Sequence, residues 1–143
     1  MKVEQLSIFI ENKSGRLAEV TDILARNGTN IRALTMADMA DFGILRLIVS
    51  DVEGTTRLLK DAGFTVNKTE VVAVELPGRP GGIAEVLKVL EGRGINVEYL
   101  YASSWRSREN AFAVFRFDEI AKAVETLRLA GVRILDGEEV ERL

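Results

Sequence analysis

The sequence predicts an α+β fold of two βαββαβ units in tandem, each an antiparallel sheet with both helices on one face. Three observations predict it. Gly15 to Leu34 (GRLAEVTDILARNGTNIRAL) and Gly81 to Leu100 (GGIAEVLKVLEGRGINVEYL) are copies of one segment. Aligned without a gap, they share Gly, Ala-Glu-Val, Leu, Gly, Asn and Leu, and Leu17/Ile83, Ile23/Val89 and Ile31/Val97 exchange one apolar residue for another. Leu59 to Val66 (LKDAGFTV) matches Leu127 to Ile134 (LRLAGVRI), so the repeat extends through the second half of each copy. The apolar period also changes between 2 and 3.6 in the same order in both copies. The expected domains are 1–69 and 70–143.

Val3 to Ile10 is nearly alternating, with Leu6, Ile8 and Ile10 on one face and Ser7 and Phe9 on the other, which predicts a strand. Asn12-Lys13-Ser14-Gly15 breaks it. Leu17, Val20, Ile23 and Leu24 recur at helical spacing, with Ser14 as the expected N-cap, Glu19 and Asp22 toward the positive end, and Arg26 and Gly28 as the stop. Ile31 to Ala37 and Ile44 to Ser50 read as strands joined by a hairpin at Met39 to Gly43. Asp51 caps a second helix through Leu58, Leu59 and Ala62, stopped by Gly63. Phe64 to Asn67 is a short final strand.

The second copy repeats this order. Val71 to Leu76 is a strand, Pro77 to Gly82 the break, and Ile83 to Leu90 a helix with Gly94 past its end. Val97 to Ser103 and Ala111 to Phe117 are strands around a charged connection, Ser104 to Asn110. Asp118 caps a helix through Ile120, Val124 and Leu127, and Val132 to Leu135 closes the unit. The offset between copies grows by two residues from the first half to the second, which puts the extra residues near Trp105. The order βαββαβ is the ferredoxin-like arrangement. Its second sheet face has no helix, yet Phe9, Phe112 and Val114 are too apolar for water, so a second sheet, an edge strand or another chain is expected over it.

The chain has 143 residues, is 47% apolar and 29% charged, and carries a net charge of −3. There is no basic field for nucleic acid. Phe115 and Phe117 alternate as a base-stacking sheet would require, but the context is acidic. The absence of Cys and His removes disulfides, thiolate chemistry, the commonest metal ligand and the commonest general base. No apolar run suits a signal peptide or a membrane span, so a cytoplasmic protein without membrane association is expected. No cofactor or metal is implied.

The strongest site signal is the break between first strand and first helix of each copy: Asn12-Lys13-Ser14-Gly15-Arg16-Leu17 and Gly78-Arg79-Pro80-Gly81-Gly82-Ile83. A glycine beside a helix start leaves backbone N–H groups open to an anion such as a carboxylate, and Asn12 adds an amide that donates and accepts. On local features alone the simpler reading is stronger: Ser14 caps the helix, Pro80 sits near its first position, and the glycines only make the turn.

The pattern Asn/Asp-x-Pro-Gly-x-Leu, a helix, then Gly-x-Asn-Ile resembles the ACT domain, a ferredoxin-like regulatory module that binds amino acids. Copy one supplies Asn12 to Leu17 and Gly28-Thr29-Asn30-Ile31. Copy two supplies Gly78 to Ile83 and Gly94-Ile95-Asn96-Val97. The resemblance implies a ligand held between two units. Asn12 would bind it from one unit, with Asn30 or Asn96, and the adjoining Ile31 or Val97, from the other. Backbone groups of Ser14 to Leu17, and of Gly81, Gly82 and Ile83, would hold the carboxylate, with Lys13, Arg16, Arg79 and Pro80 in the same loops. Copy one has Ser14 where the family often has Pro. Copy two has Gly78 where the binding Asn or Asp would stand, so the Asn12 loop is expected to be the main site. Asn30 and Asn96 also fit an ordinary turn leading into a strand.

Tyr99, Tyr101 and Trp105 cluster where copy one has Ala33, Thr35 and Met39, and suit either packing or an interface. Arg106, Arg108 and Glu109 look like a solvated hairpin tip, and Glu138 to Glu141 like a surface tail. The expected function is a non-catalytic, amino-acid-binding allosteric sensor, a homodimer with a possible partner enzyme or regulator of amino-acid metabolism. One alternative is a regulatory subunit acting mainly through an obligate partner enzyme. The other is a small ferredoxin-like enzyme, but the sequence has no paired carboxylates at helix-face spacing, no nucleophile beside a base and no phosphate loop.

Overall fold

The computed structural model describes residues 3–38, 40–104 and 111–143. It divides into two compact units, Glu4–Thr69 and Glu70–Glu141. Unit one contains β1 (Val3–Glu11), α1 (Arg16–Arg26), β2 (Ile31–Asp38), β3 (Phe42–Val49), α2 (Val52–Asp61) and the first residues of β4 (Thr65–Leu76). Unit two contains the rest of β4, then α3 (Gly82–Glu91), β5 (Val97–Ser104), β6 (Ala111–Phe117), α4 (Ile120–Leu129), β7 (Ile134–Leu135) and α5 (Gly137–Glu141). The tandem βαββαβ fold is as expected.

In unit one the strand order is β2-β3-β1-β4, with β3 antiparallel to both β1 and β2. The register pairs Leu6 with Leu47, Ile8 with Leu45 and Ile10 with Gly43, which sets the even residues of β1 and the odd residues of β3 on one face. That face meets Val20 and Leu24 of α1 and Leu59 of α2, with Phe64 and Val66 completing the core. In unit two the order is β7-β4-β6-β5, all pairs antiparallel. Val72, Val74, Leu76, Ala113, Phe115 and Phe117 face Val86 and Leu90 of α3 and Ala123 and Leu127 of α4. The Phe115 and Phe117 rings stack at 5.3 Å. Each such side chain removed from water contributes about 1.5–3 kcal/mol. Both phenylalanines are fully buried, so neither offers a base-stacking surface.

A bulge recurs at the same place in both units, between Ile31 and Ala33 and between Val97 and Tyr99. β2 ends at Asp38 and β3 starts at Phe42, whereas β5 ends at Ser104 and β6 starts at Ala111. Asp38 pairs with Gly43 across four intervening residues and Ser104 with Ala111 across six, so the longer connection holds the two extra residues. Met39, Trp105, Arg106, Arg108 and Glu109 lie outside the described residues, so the reading of a solvated hairpin tip and of Trp105 in an aromatic cluster does too. Tyr101 is buried and Tyr99 half-buried.

Several sequence expectations need correction. The two strands read at Phe64 to Asn67 and Val71 to Leu76 are one strand, β4, because Lys68-Thr69-Glu70 contains no Gly or Pro to break it. Leu17 shares the helical spacing of Val20 and Leu24, yet it is 39% exposed, and its counterpart Ile83 is 38% exposed. Asp118 stands one residue before the N-cap of α4, and its Oδ1 accepts from the N–H groups of Glu119 and Asn96. The closing strand is only Ile134–Leu135.

The acidic end is no loose tail. Asp136 Oδ1 accepts from Glu139 N–H at 2.9 Å and Glu139 Oε1 accepts from Asp136 N–H at 3.3 Å, a capping box that starts α5 and buries Val140. On the helix-free sheet face of unit one, Ile48 and its pair Ala33 are buried. Phe112 and Val114 are buried, as their character requires, while Phe9 and Phe42 stay 42% and 53% exposed.

Candidate functional site

The sequence-predicted residues fall at two ends of each unit. β1 and β2 both run antiparallel to β3, hence parallel to each other. Asn12 follows the C-terminal end of β1, where Glu11 pairs with Phe42, and Asn30 precedes β2, where Ile31 pairs with Val49. At ~3.3 Å per residue the two asparagines are roughly 25 Å apart along the sheet. One unit therefore brings Asn12 together with Lys13, Ser14, Gly15, Arg16 and Leu17, but not with Asn30. Unit two likewise separates Arg79, Pro80, Gly81, Gly82 and Ile83 from Asn96 and Val97.

At the loop end, Asn12 is fastened to the β2–β3 turn. Its N–H donates to the Asp41 carbonyl at 2.9 Å, and its Nδ2 to the Ala40 carbonyl at 3.3 Å. The side chain is otherwise exposed, and among the described residues its Oδ1 accepts no hydrogen bond. Ser14 does not cap α1. The N-cap is Gly15, at φ 90°, and no side chain accepts from the first-turn N–H groups. α3 repeats this with Gly81 at φ 87°, so Pro80 lies outside the helix and not at its first position. A left-handed glycine at the N-cap turns the chain sharply and supplies no capping oxygen. Arg16 N–H donates to the Lys13 carbonyl at 3.4 Å and Gly82 N–H to the Arg79 carbonyl at 3.3 Å, and the next first-turn donors at the positive end of each dipole have no side-chain cap.

The charged residues differ between units. Arg16 donates to Glu19 at 2.8 Å and to Glu11 at 3.1 Å, and its guanidinium lies 5.4 Å from the centre of the Phe64 ring. Its Nε is buried without an acceptor. Lys13 reaches Glu11 at 3.1 Å, and with Arg16 it holds that carboxyl below its ordinary value. In unit two the loop cation is Arg79, bound to both oxygens of Glu85 at 2.8 and 2.9 Å; this pairing lowers the Glu85 pKa and raises that of Arg79.

At the other end the turn role belongs to backbone. Asn30 N–H donates to Ser50 Oγ and its carbonyl accepts from Ser50 N–H, both at 3.0 Å. Asn96 makes the same pair with Asp118, at 3.1 and 3.3 Å. Both asparagine side chains are exposed and have no hydrogen bond among the described residues.

Sequence reasoning missed a groove of ≈ 380 Å³ in unit two, beside the first two turns of α3. Glu75, Pro77, Gly82, Glu85, Val89 and Arg133 are among its lining residues. The signal was available: it is the loss of a large side chain at Gly82, where the repeat has Arg16. No helix among the described residues is long and apolar enough to cross a membrane.

Comparison with known proteins agrees with this architecture. A solved structure, protein BT0572 from Bacteroides thetaiotaomicron, is 43% identical with a TM-score of 0.94, over 100% of this chain and 98% of that one. The regulatory subunit of aspartate kinase from Thermus thermophilus shares the fold, with a TM-score of 0.66 at 18% identity over 89% and 91% of the two chains. The acetolactate synthase small subunit of Buchnera aphidicola subsp. Baizongia pistaciae is 31% identical over 68 residues; the match covers 48% of this chain and 42% of that protein. The family model of the ACT domain pair matches residues 1–143. With two βαββαβ units, a left-handed glycine opening the first helix of each, and that match over the whole length, the chain belongs to the ACT domain pair family.

Proposed function

We propose that the chain is a non-catalytic regulatory protein of the cytoplasm that binds a free amino acid between ACT units. The observation that supports this most is the pair of helix starts at Gly15 and Gly81, which have no side-chain cap, so that first-turn N–H groups beyond Arg16 and Gly82 remain for an anion. The ligand carboxylate meets the N–H groups of the Ser14 to Leu17 segment. Asn12 offers its free Oδ1 to the ammonium group. The amide of Asn30 or Asn96, beside Ile31 or Val97, completes the site from a different unit. The Gly81 to Ile83 loop forms a weaker site, because Gly78 supplies no amide. Binding changes the balance between two arrangements of the units, in a homodimer or against a partner enzyme, only if the two bind the ligand unequally.

A thermal-melt screen against the twenty amino acids tests this. A ligand at a hundredfold its Kd adds about 2.7 kcal/mol to native stability. One amino acid raising the midpoint, with the shift lost in Asn12→Ala, is the expected result. Absence of any shift leaves the second reading, a regulatory subunit acting through an obligate enzyme of amino-acid metabolism. The partial similarity to an acetolactate synthase small subunit favours that alternative, and co-purification with a large catalytic chain checks it.

A further inference from the structure

The repeat sets Gly82 opposite Arg16, Glu85 opposite Glu19, Pro77 opposite Glu11 and Val132 opposite Phe64. In unit one Arg16 fills the space beside its helix. Its guanidinium lies over Phe64 and binds Glu19 at 2.8 Å. In unit two the counterpart space is the groove of ≈ 380 Å³, whose lining includes Gly82, Glu85 and Val132. The arginine is gone while its carboxylate partner is kept.

The chain cannot refill this space from Gly82. A Cβ there would lie 2.8 Å from the Pro77 carbonyl oxygen and 3.2 Å from Pro77 Cδ. The groove has an apolar wall from Pro77, Val86, Val89 and Val132. Its charged lining is two carboxylates, Glu75 and Glu85, against one guanidinium, Arg133. Arg133 meets Glu75 at 3.3 Å, which leaves Glu85 as the carboxylate for a ligand, and an apolar wall beside a carboxylate fits a cation on an aliphatic stem. Glu85 is engaged by Arg79, but both side chains are more than half exposed, and exposed ion pairs exchange at little cost.

We infer that this groove binds a small molecule carrying a guanidinium on an aliphatic chain, which takes in unit two the place that Arg16 takes in unit one. The bidentate geometry of a guanidinium on a carboxylate favours it over a simple amine. The inference does not depend on the amino-acid reading of the Asn12 loop, because it concerns a groove of unit two and uses side chains in place of backbone donors.

Calorimetric titration of the full chain with arginine and with agmatine, and with citrulline as the neutral isostere, tests it. The expected result is saturable binding of arginine and agmatine, at least tenfold tighter than citrulline. Glu85→Gln weakens it tenfold or more, Val89→Trp abolishes it, and Asn12→Ala leaves it unchanged. Glu85 is exposed, so its variant folds and reports on the site even if Val89→Trp does not. Failure of both guanidinium probes to bind, equal binding of citrulline, or binding insensitive to Glu85→Gln would overturn the inference. Binding that Asn12→Ala removes would reassign the ligand to the loop of unit one.

Discussion

Gly15 and Gly81 show how one residue type sets both a fold detail and a candidate site. Each sits near φ 90°, and a Cβ at either would meet nothing within 4 Å. Any cost of substitution there is backbone strain alone. Gly15→Ala is expected to destabilise by about 1–2 kcal/mol, the penalty of a left-handed L-residue. Denaturant titration checks this: the midpoint falls while the slope stays unchanged. Charge at the same loops makes a second residue-scale prediction. Glu85 has its pKa lowered from 4.5, chiefly by the hydrogen bond from Arg79. A carboxyl lowered in the folded state binds fewer protons than in the unfolded chain. Its stabilisation is therefore present above the unfolded pKa and lost as pH falls through the folded value. Glu85→Gln should be less stable than wild type at neutral pH, and the gap should close on acidification below about pH 4.5. A gap constant with pH, measured by melts across that range, would contradict the assignment.

Among the elements, α2 is the helix whose start was fully legible. Asp51 was read as its cap, and Asp51 Oδ1 accepts from Gly54 N–H at 3.0 Å. Asp51→Ala is expected to cost about 1 kcal/mol, seen as a lower melting midpoint. Periodicity located the strands and helices because each core face is regular: Leu6, Ile8 and Ile10 alternate, and Val20 and Leu24 are one turn apart. The reading failed where two rules competed. Ser14 and Pro80 are good residues for a helix start, but the following glycine took the cap because only it adopts the turn required. The polar run Lys68-Thr69-Glu70 looked like a break, although strand continuity needs only the absence of a breaker. Acidity at 138–141 concealed the Asp136-x-x-Glu139 capping box, a signature readable beforehand. The loop residues were found from a motif; the groove at Gly82 required seeing what the missing side chain leaves behind.

Over the whole molecule, the separation of Asn12 from Asn30 has a logical consequence. They stand at opposite ends of one sheet, and each occurs once per chain. A ligand that touches Asn12 and Asn30 must take Asn30 from a second chain, whereas one that touches Asn12 and Asn96 makes no use of Asn30. Single variants separate these cases: Asn30→Ala or Asn96→Ala removes binding according to which asparagine is used. If Asn30 is the partner, mixing provides a further check. An Asn12→Ala chain and an Asn30→Ala chain are each unable to bind alone. In a mixed dimer one site carries both defects and the other carries neither. Random re-association makes half the dimers mixed, so about a quarter of all sites recover full affinity. Calorimetry on the re-associated mixture should find that fraction, at the wild-type Kd. Recovery of none, with both single variants folded and dimeric, would exclude an Asn12–Asn30 site between chains and leave Asn96 as the second amide.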